Sequence, residues 1–175
     1  MSGPAEIWEL AAENFETTLA EVGDDQWDAP TGCGDWTVRE LVDHTLFWQC
    51  SLAATVGADA APDDGWASIR SAISGALQDP SVLDGELEDG PMTGMPKHMA
   101  MGFATADVLL HGWDLARAIG VDDTLPPAAV EAVHMGMSQA PDEMIRNPQV
   151  FGPVVEVPAD ASAQDKLLGF SGRRP

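Results

Sequence analysis

Tyrosine is absent from this chain and lysine nearly so, with Lys97 and Lys166 its only two. The arginines are scattered, so no basic stripe exists to hold phosphates, and neither nucleic acid nor an anionic membrane is an expected partner. The missing tyrosine carries no comparable implication. The two cysteines, Cys33 and Cys50, show no CxxC spacing, which excludes a disulfide framework and leaves reduced thiols as the default. No uninterrupted apolar run approaches the length of a membrane span. The opening residues MSGPAEIWEL lack the basic patch and apolar core of a signal peptide, so a cytoplasmic location is expected.

What is present is acid and apolar surface. A net charge of −21 is large for 175 residues and favours solubility. An anionic substrate would need local cations, or a metal, to overcome that field. An apolar content of 45% suits a globular chain, and the length is most simply one domain over residues 1–175.

Apolar periodicity predicts helices along most of the chain. Pro4 opens the first, whose Trp8, Ala11, Phe15, Leu19 and Val22 recur at helical intervals up to the stop at Gly23. Residues 23–36 read as a loop with Trp27 and Trp36 as packing anchors. Thr37-Val38-Arg39-Glu40 has the form of a capping box and starts a second helix with Val38, Leu41, Val42, Thr45 and Leu52 buried. His44 lies at the margin of that stripe. After a loop over 57–65, Trp66 to Gln78 forms a shorter helix stopped by Asp79-Pro80, and a short hairpin is expected at Asp84-Gly85. Pro126-Pro127 open a helix to about Gln139, with Met135 and Met137 as core filler and His134 outside any site. Val154 to Pro158 suggests one short extended piece, and Ser162 caps a last helix ending before Gly172. Helices with short connections and little strand indicate an all-α bundle.

The most informative stretch is MAMGFATADVLLHGWDLARAIG, residues 99–120, a helix opened near Pro96 and closed by Gly120. It is apolar on almost every side, as a helix in a protein interior is. Yet Asp107, His111 and Asp114, spaced by four and three, project from one face beside Ala100, Phe103, Ala104, Leu115 and Ala118. A carboxylate in a dry interior costs several kcal/mol unless paired or metal-bound, so about that much must be offset. Asp107 and His111 bonding each other, with Asp114 facing solvent, is the plain solution. The richer one adds His44, giving two imidazoles and one carboxylate for a divalent metal, with positions left open for water or substrate. That donor set suits zinc, and nickel or iron as well. Asp114 then reads as an orienting partner behind the ligands or as a solvated acid, and is the one candidate for a catalytic acid or base.

These residues also carry a family resemblance. CGDWTVRELVDH, residues 33–44, and HGWDLARAIG, residues 111–120, resemble two signatures of the mycothiol-dependent maleylpyruvate isomerase family. The tail FGPVVEVPADASAQDKLLGFSGRRP is similar to the ending of one branch of it. The resemblance implies a DinB-like four-helix bundle with a short extra helix, holding a metal through one second-helix histidine and two residues a turn apart on a later helix. By position these are His44, Asp107 and His111; the isomerase has glutamate where Asp107 stands. That isomerase also has a further C-terminal domain that contributes to its site, for which this chain ends too early. The implied chemistry is a metal that activates a low-molecular-weight thiol, mycothiol, for isomerisation or transfer on a small electrophilic substrate. A metal-dependent hydrolase and a non-catalytic bundle that binds metal or a small ligand are the alternatives. Cys33, just before a helix start, reads either as an internal nucleophile or, more plainly, as a side chain packing its loop. A homodimer fits such bundles, although no patch in the sequence marks its interface.

Overall fold

A computed structural model describes residues 3–89, 92–146 and 150–175. Its described residues form an all-α bundle of seven helices with two short 3-10 turns: α1 (Pro4–Ala20), α2 (Val38–Thr55), α3 (Trp66–Ala76), α4 (Lys97–Ile119), α5 (Pro127–Ser138), α6 (Asp142–Ile145) and α7 (Ala163–Phe170). No strand occurs among them; pairing is confined to the isolated bridges Pro30–Thr37 and Glu86–Pro96. No described helix is long and apolar enough to cross a membrane.

The predicted boundaries hold where a specific side chain or glycine sets them. Thr37 accepts the Glu40 N–H while the Glu40 carboxylate accepts the Thr37 N–H, so both ends of the capping box are made. Gly120 takes the left-handed conformation, φ 77°, and its N–H returns to the Ala116 carbonyl to end α4. Ser162 caps α7 by accepting the Asp165 N–H. The expected turn at Asp84-Gly85 is displaced. Gly85 does reach φ 81°, but it follows a 3-10 turn and begins the pairing instead of turning it: its carbonyl accepts the Lys97 N–H, and the Leu87 N–H meets the Met95 carbonyl. Val154 to Pro158 forms no strand; it lies against α7 through one bond, from the Val155 N–H to the Gly169 carbonyl.

Helices α1, α4, α2 and α3 close a ring, each packed on the next, while α5 leans on α4 and α1 and α7 leans on α5. The core is filled by Trp8, Phe15, Leu41, Ile69, Ile73, Leu109, Leu110 and Leu115, all essentially without exposure. Gly112 lets α1 approach α4 closely, since a Cβ there would stand 3.2 Å from Asn14 Oδ1. Met137 is buried as expected, but Met135 is 60% exposed, because it lies on the side of α5 turned away from α4.

One polar residue ties three helices together. Gln49 on α2 is fully buried; its Oε1 accepts the Trp8 indole N–H from α1 at 3.0 Å, and its Nε2 donates to the Ala104 carbonyl of α4 at 2.9 Å. Gln49→Leu strands a buried indole donor and an amide partner, which costs about 1–3 kcal/mol. A lower denaturant midpoint at unchanged m-value checks this.

Candidate metal centre

The centre forms where α2 and α4 pack. His111 and Asp107 stand one turn apart on α4, and the α2–α4 contact brings His44 opposite them. His44 Nε2 lies 3.3 Å and His111 Nε2 3.5 Å from the same oxygen, Asp107 Oδ1. The two imidazole centroids are 5.1 Å apart and the rings nearly perpendicular. The loop before α2 supplies a wall. The Thr31 N–H and hydroxyl both donate to the Trp36 carbonyl, and the Pro30–Thr37 bridge closes the reversal. That seats the Trp36 ring 4.6 Å from His44 and 6.1 Å from His111. Trp48 flanks His44 from α2 at 6.2 Å. His44 is the more open member, with a quarter of its side chain accessible, whereas His111 is nearly enclosed.

The residues fit a cation on two counts. Asp107 Oδ2 is buried and has no hydrogen-bond partner among the described residues, although a buried carboxylate oxygen is costly to leave unpaired. At the other oxygen, Oδ1, the 3.3 and 3.5 Å separations resemble the edges of a tetrahedron with metal–ligand bonds of about 2.0–2.1 Å, which are about 3.3–3.4 Å long. Among the described residues, one atom from each of His44, Asp107 and His111 falls within 4.8 Å of the others, a grouping able to hold a metal ion.

Behind His111 lies a second cluster. Its Nδ1 is 3.0 Å from Asp114 Oδ2. Arg173, from the turn after α7, donates Nε to Asp114 Oδ1 at 2.9 Å and Nη2 to Oδ2 at 2.6 Å. The Cys33 thiol donates to the same Oδ2 at 3.0 Å. Asp114 is almost completely buried. Burial alone would push its carboxyl up, but the His111 hydrogen bond and the Arg173 guanidinium overcome this and hold it well below the usual carboxylate range. Burial first, and then the Asp114 charge, push the Cys33 thiol up to about 12. Cys33 therefore keeps its proton and packs its loop against Asp114, which supports the plainer reading of that residue over an internal nucleophile. Cys33, His111 and Asp114 also come within 4.8 Å of one another, but the guanidinium on both Asp114 oxygens opposes a cation there.

All four residues singled out in the sequence thus meet: His44, Asp107 and His111 in front, and Asp114 directly behind. Asp114 does not face solvent as the plain reading had it. Arg173 is the residue that sequence reasoning missed. A signal for it existed in the S-G-R ending. Gly172, at φ 87°, and Arg173 send their N–H groups back to the carbonyls of Gly169 and Leu168, a Schellman turn that folds the residue after the glycine back along the helix. His134 lies apart, against Phe170.

Two uncharacterised proteins of Mycobacterium tuberculosis, one from strain CDC 1551 / Oshkosh and one from strain ATCC 25618 / H37Rv, are each 26% identical over 177 residues, covering 97% of this chain and 97% of their own. No solved structure matches. Residues 8–81, a stretch that contains Cys33 and His44 but not the α4 residues, match the family model of the mycothiol maleylpyruvate isomerase N-terminal domain. That match supports, over residues 8–81, the family resemblance carried by the sequence signatures.

Proposed function

We propose that this protein is a metal-dependent enzyme in which His44, Asp107 and His111 hold one divalent ion, zinc foremost, and a low-molecular-weight thiol of the mycothiol kind is activated for addition to a small electrophilic carbon. The observation that carries the reading is Asp107: a largely enclosed carboxylate whose Oδ1 is set between two imidazoles and whose buried Oδ2 has no hydrogen-bond partner among the described residues. The family match over residues 8–81 supports the thiol.

The division of labour follows from the geometry. His44 and His111 offer ring nitrogens from different helices, and Asp107 offers the carboxylate between them. Asp114 accepts the Nδ1–H of His111, which leaves Nε2 with a free lone pair on the Asp107 side. A bound divalent ion supplies the charge that makes a coordinated thiol give up its proton near neutral pH. Trp36 and Trp48 shield the flanks of His44 from water and leave access past its accessible edge.

The test is calorimetry on the zinc-loaded and the metal-free chain, titrated with mycothiol and with glutathione. Binding of mycothiol to the loaded chain alone, with a buffer-dependent enthalpy from the released proton, is expected. A loaded chain that binds neither thiol overturns the thiol assignment. Turnover of ester or amide substrates without any thiol would point to a hydrolase instead.

A further inference from the structure

We propose that Arg173 is a positioning residue for the metal centre: through Asp114 it sets the orientation of His111, so that the last turn of the chain governs how tightly the ion is held. The inference rests on the metal reading above. It concerns a residue outside the α2 and α4 ligands and far from them in sequence, 59 positions from Asp114.

A carboxylate can rotate about its own bond, and a histidine that hydrogen-bonds to it follows. Arg173 removes that freedom. Its Nε and Nη2 donate to the two Asp114 oxygens at 2.9 and 2.6 Å, a two-point contact that fixes the plane of the carboxylate as a single-point ammonium does not. The fixed Oδ2 then receives His111 Nδ1 at 3.0 Å, and the ring so held directs Nε2 toward Asp107, 3.5 Å away. Partners of this kind behind a ligating histidine set its ring orientation and tautomer.

The guanidinium is itself held rather than loosely placed. Its Nη1 donates to Ser171 Oγ at 3.2 Å, and the backbone turn at Gly172 folds it inward. Helix α7, which carries that turn, is seated by two contacts. Gly169 lets the Val155 carbonyl approach so closely that a Cβ would stand 2.6 Å from its oxygen, and Arg146 Nη1 donates to the Phe170 carbonyl. The Gln164 side chain joins the start of α7 to the loop after α4 by accepting the Leu125 N–H and donating to the Asp123 carbonyl. The C-terminal segment is thereby braced against α5 and the loop that follows the helix carrying Asp107 and His111.

The experiment compares zinc affinities by competition with a chromophoric chelator in the full-length chain, for the wild type, Arg173→Lys, Arg173→Gln, Asp114→Asn and the double variant Arg173→Lys/Asp114→Asn. Lysine keeps the charge and loses the fork, so Arg173→Lys is expected to weaken zinc about 10–100-fold, the range seen when a partner behind a metal ligand is lost. The double variant should bind within about twofold of the weaker single one, because both substitutions break the same link. Cobalt-loaded wild type and Arg173→Lys should also differ in their visible absorption. If Arg173 only stabilises the fold, Arg173→Lys lowers the melting temperature of the metal-free chain and leaves zinc affinity unchanged; that result overturns the inference. Should Arg173→Gln fail to fold, Arg173→Lys alone decides. A wild-type chain that takes up no zinc sinks the metal reading and this inference with it, whereas tight binding by both the wild type and Arg173→Lys sinks this inference alone.

Discussion

His111→Ala is expected to reduce the zinc content of the purified chain from about one ion to below about a tenth of an ion per molecule, measured by elemental analysis. The size of the effect comes from the position of the ring. His111 is the member that joins the two clusters: its Nε2 faces Asp107 and His44, and its Nδ1 faces Asp114. Alanine removes one of three candidate ligands and also leaves Asp114 with nothing to orient. His44 and Asp107 alone form a two-ligand site on separate helices, which binds a divalent ion too weakly to survive purification. His134→Ala is the control, since that ring, on α5, sits beside Phe170 of α7 and should leave the metal content unchanged. Undiminished zinc in His111→Ala would remove His111 from the site and, with it, the arrangement proposed for Asp107.

Asp114→Ala is expected to cost about 3–5 kcal/mol of folding stability in the metal-free chain, read as a drop in denaturant midpoint. The cause is the group left behind. Arg173 has only 16% of its side chain accessible, and both of its contacts with a negative charge go to the Asp114 carboxylate. Without that partner the guanidinium is a largely enclosed cation with, among the described residues, only the Ser171 hydroxyl to bond. The Cys33 thiol and the His111 Nδ1 lose their acceptor at the same time. Replacing both Asp114 and Arg173 by apolar residues of similar volume should recover much of the loss, because the penalty belongs to the unpaired charge and not to the absent bond. A single Asp114→Ala variant within about 1 kcal/mol of the wild type would mean that Arg173 swings out to water. It would then have no fixed place behind His111.

The two acids on α4 differ in how their oxygens are met. Asp107 is the acid with a buried oxygen to spare, whereas Asp114 has both oxygens engaged. An apolar helix interior accommodates the second at little net cost because a cation and two further donors meet it. The first keeps one buried oxygen without a hydrogen-bond partner among the described residues, and the proposed metal site rests on that difference.

Much of this was legible in the sequence, because it depends on neighbours along one helix. Three- and four-residue spacing puts Asp107, His111 and Asp114 on one face of any α-helix, and an all-round apolar pattern sends that helix inward. Capping chemistry at Thr37, Gly120 and Ser162 located three helix ends for the same local reason. Periodicity says nothing of which helices touch, or at what level. The meeting of His44 with Asp107, of Gln49 with Trp8, and of Cys33 and Arg173 with Asp114 depends on how α1, α2, α4 and α7 pack, across separations of 41 residues or more. The sequence by itself therefore determined an acidic all-α protein with an acid and an imidazole facing its interior. Tertiary packing decided that one carboxylate stays short of a partner and the other is saturated, because only the closed bundle sets which distant donors reach each oxygen.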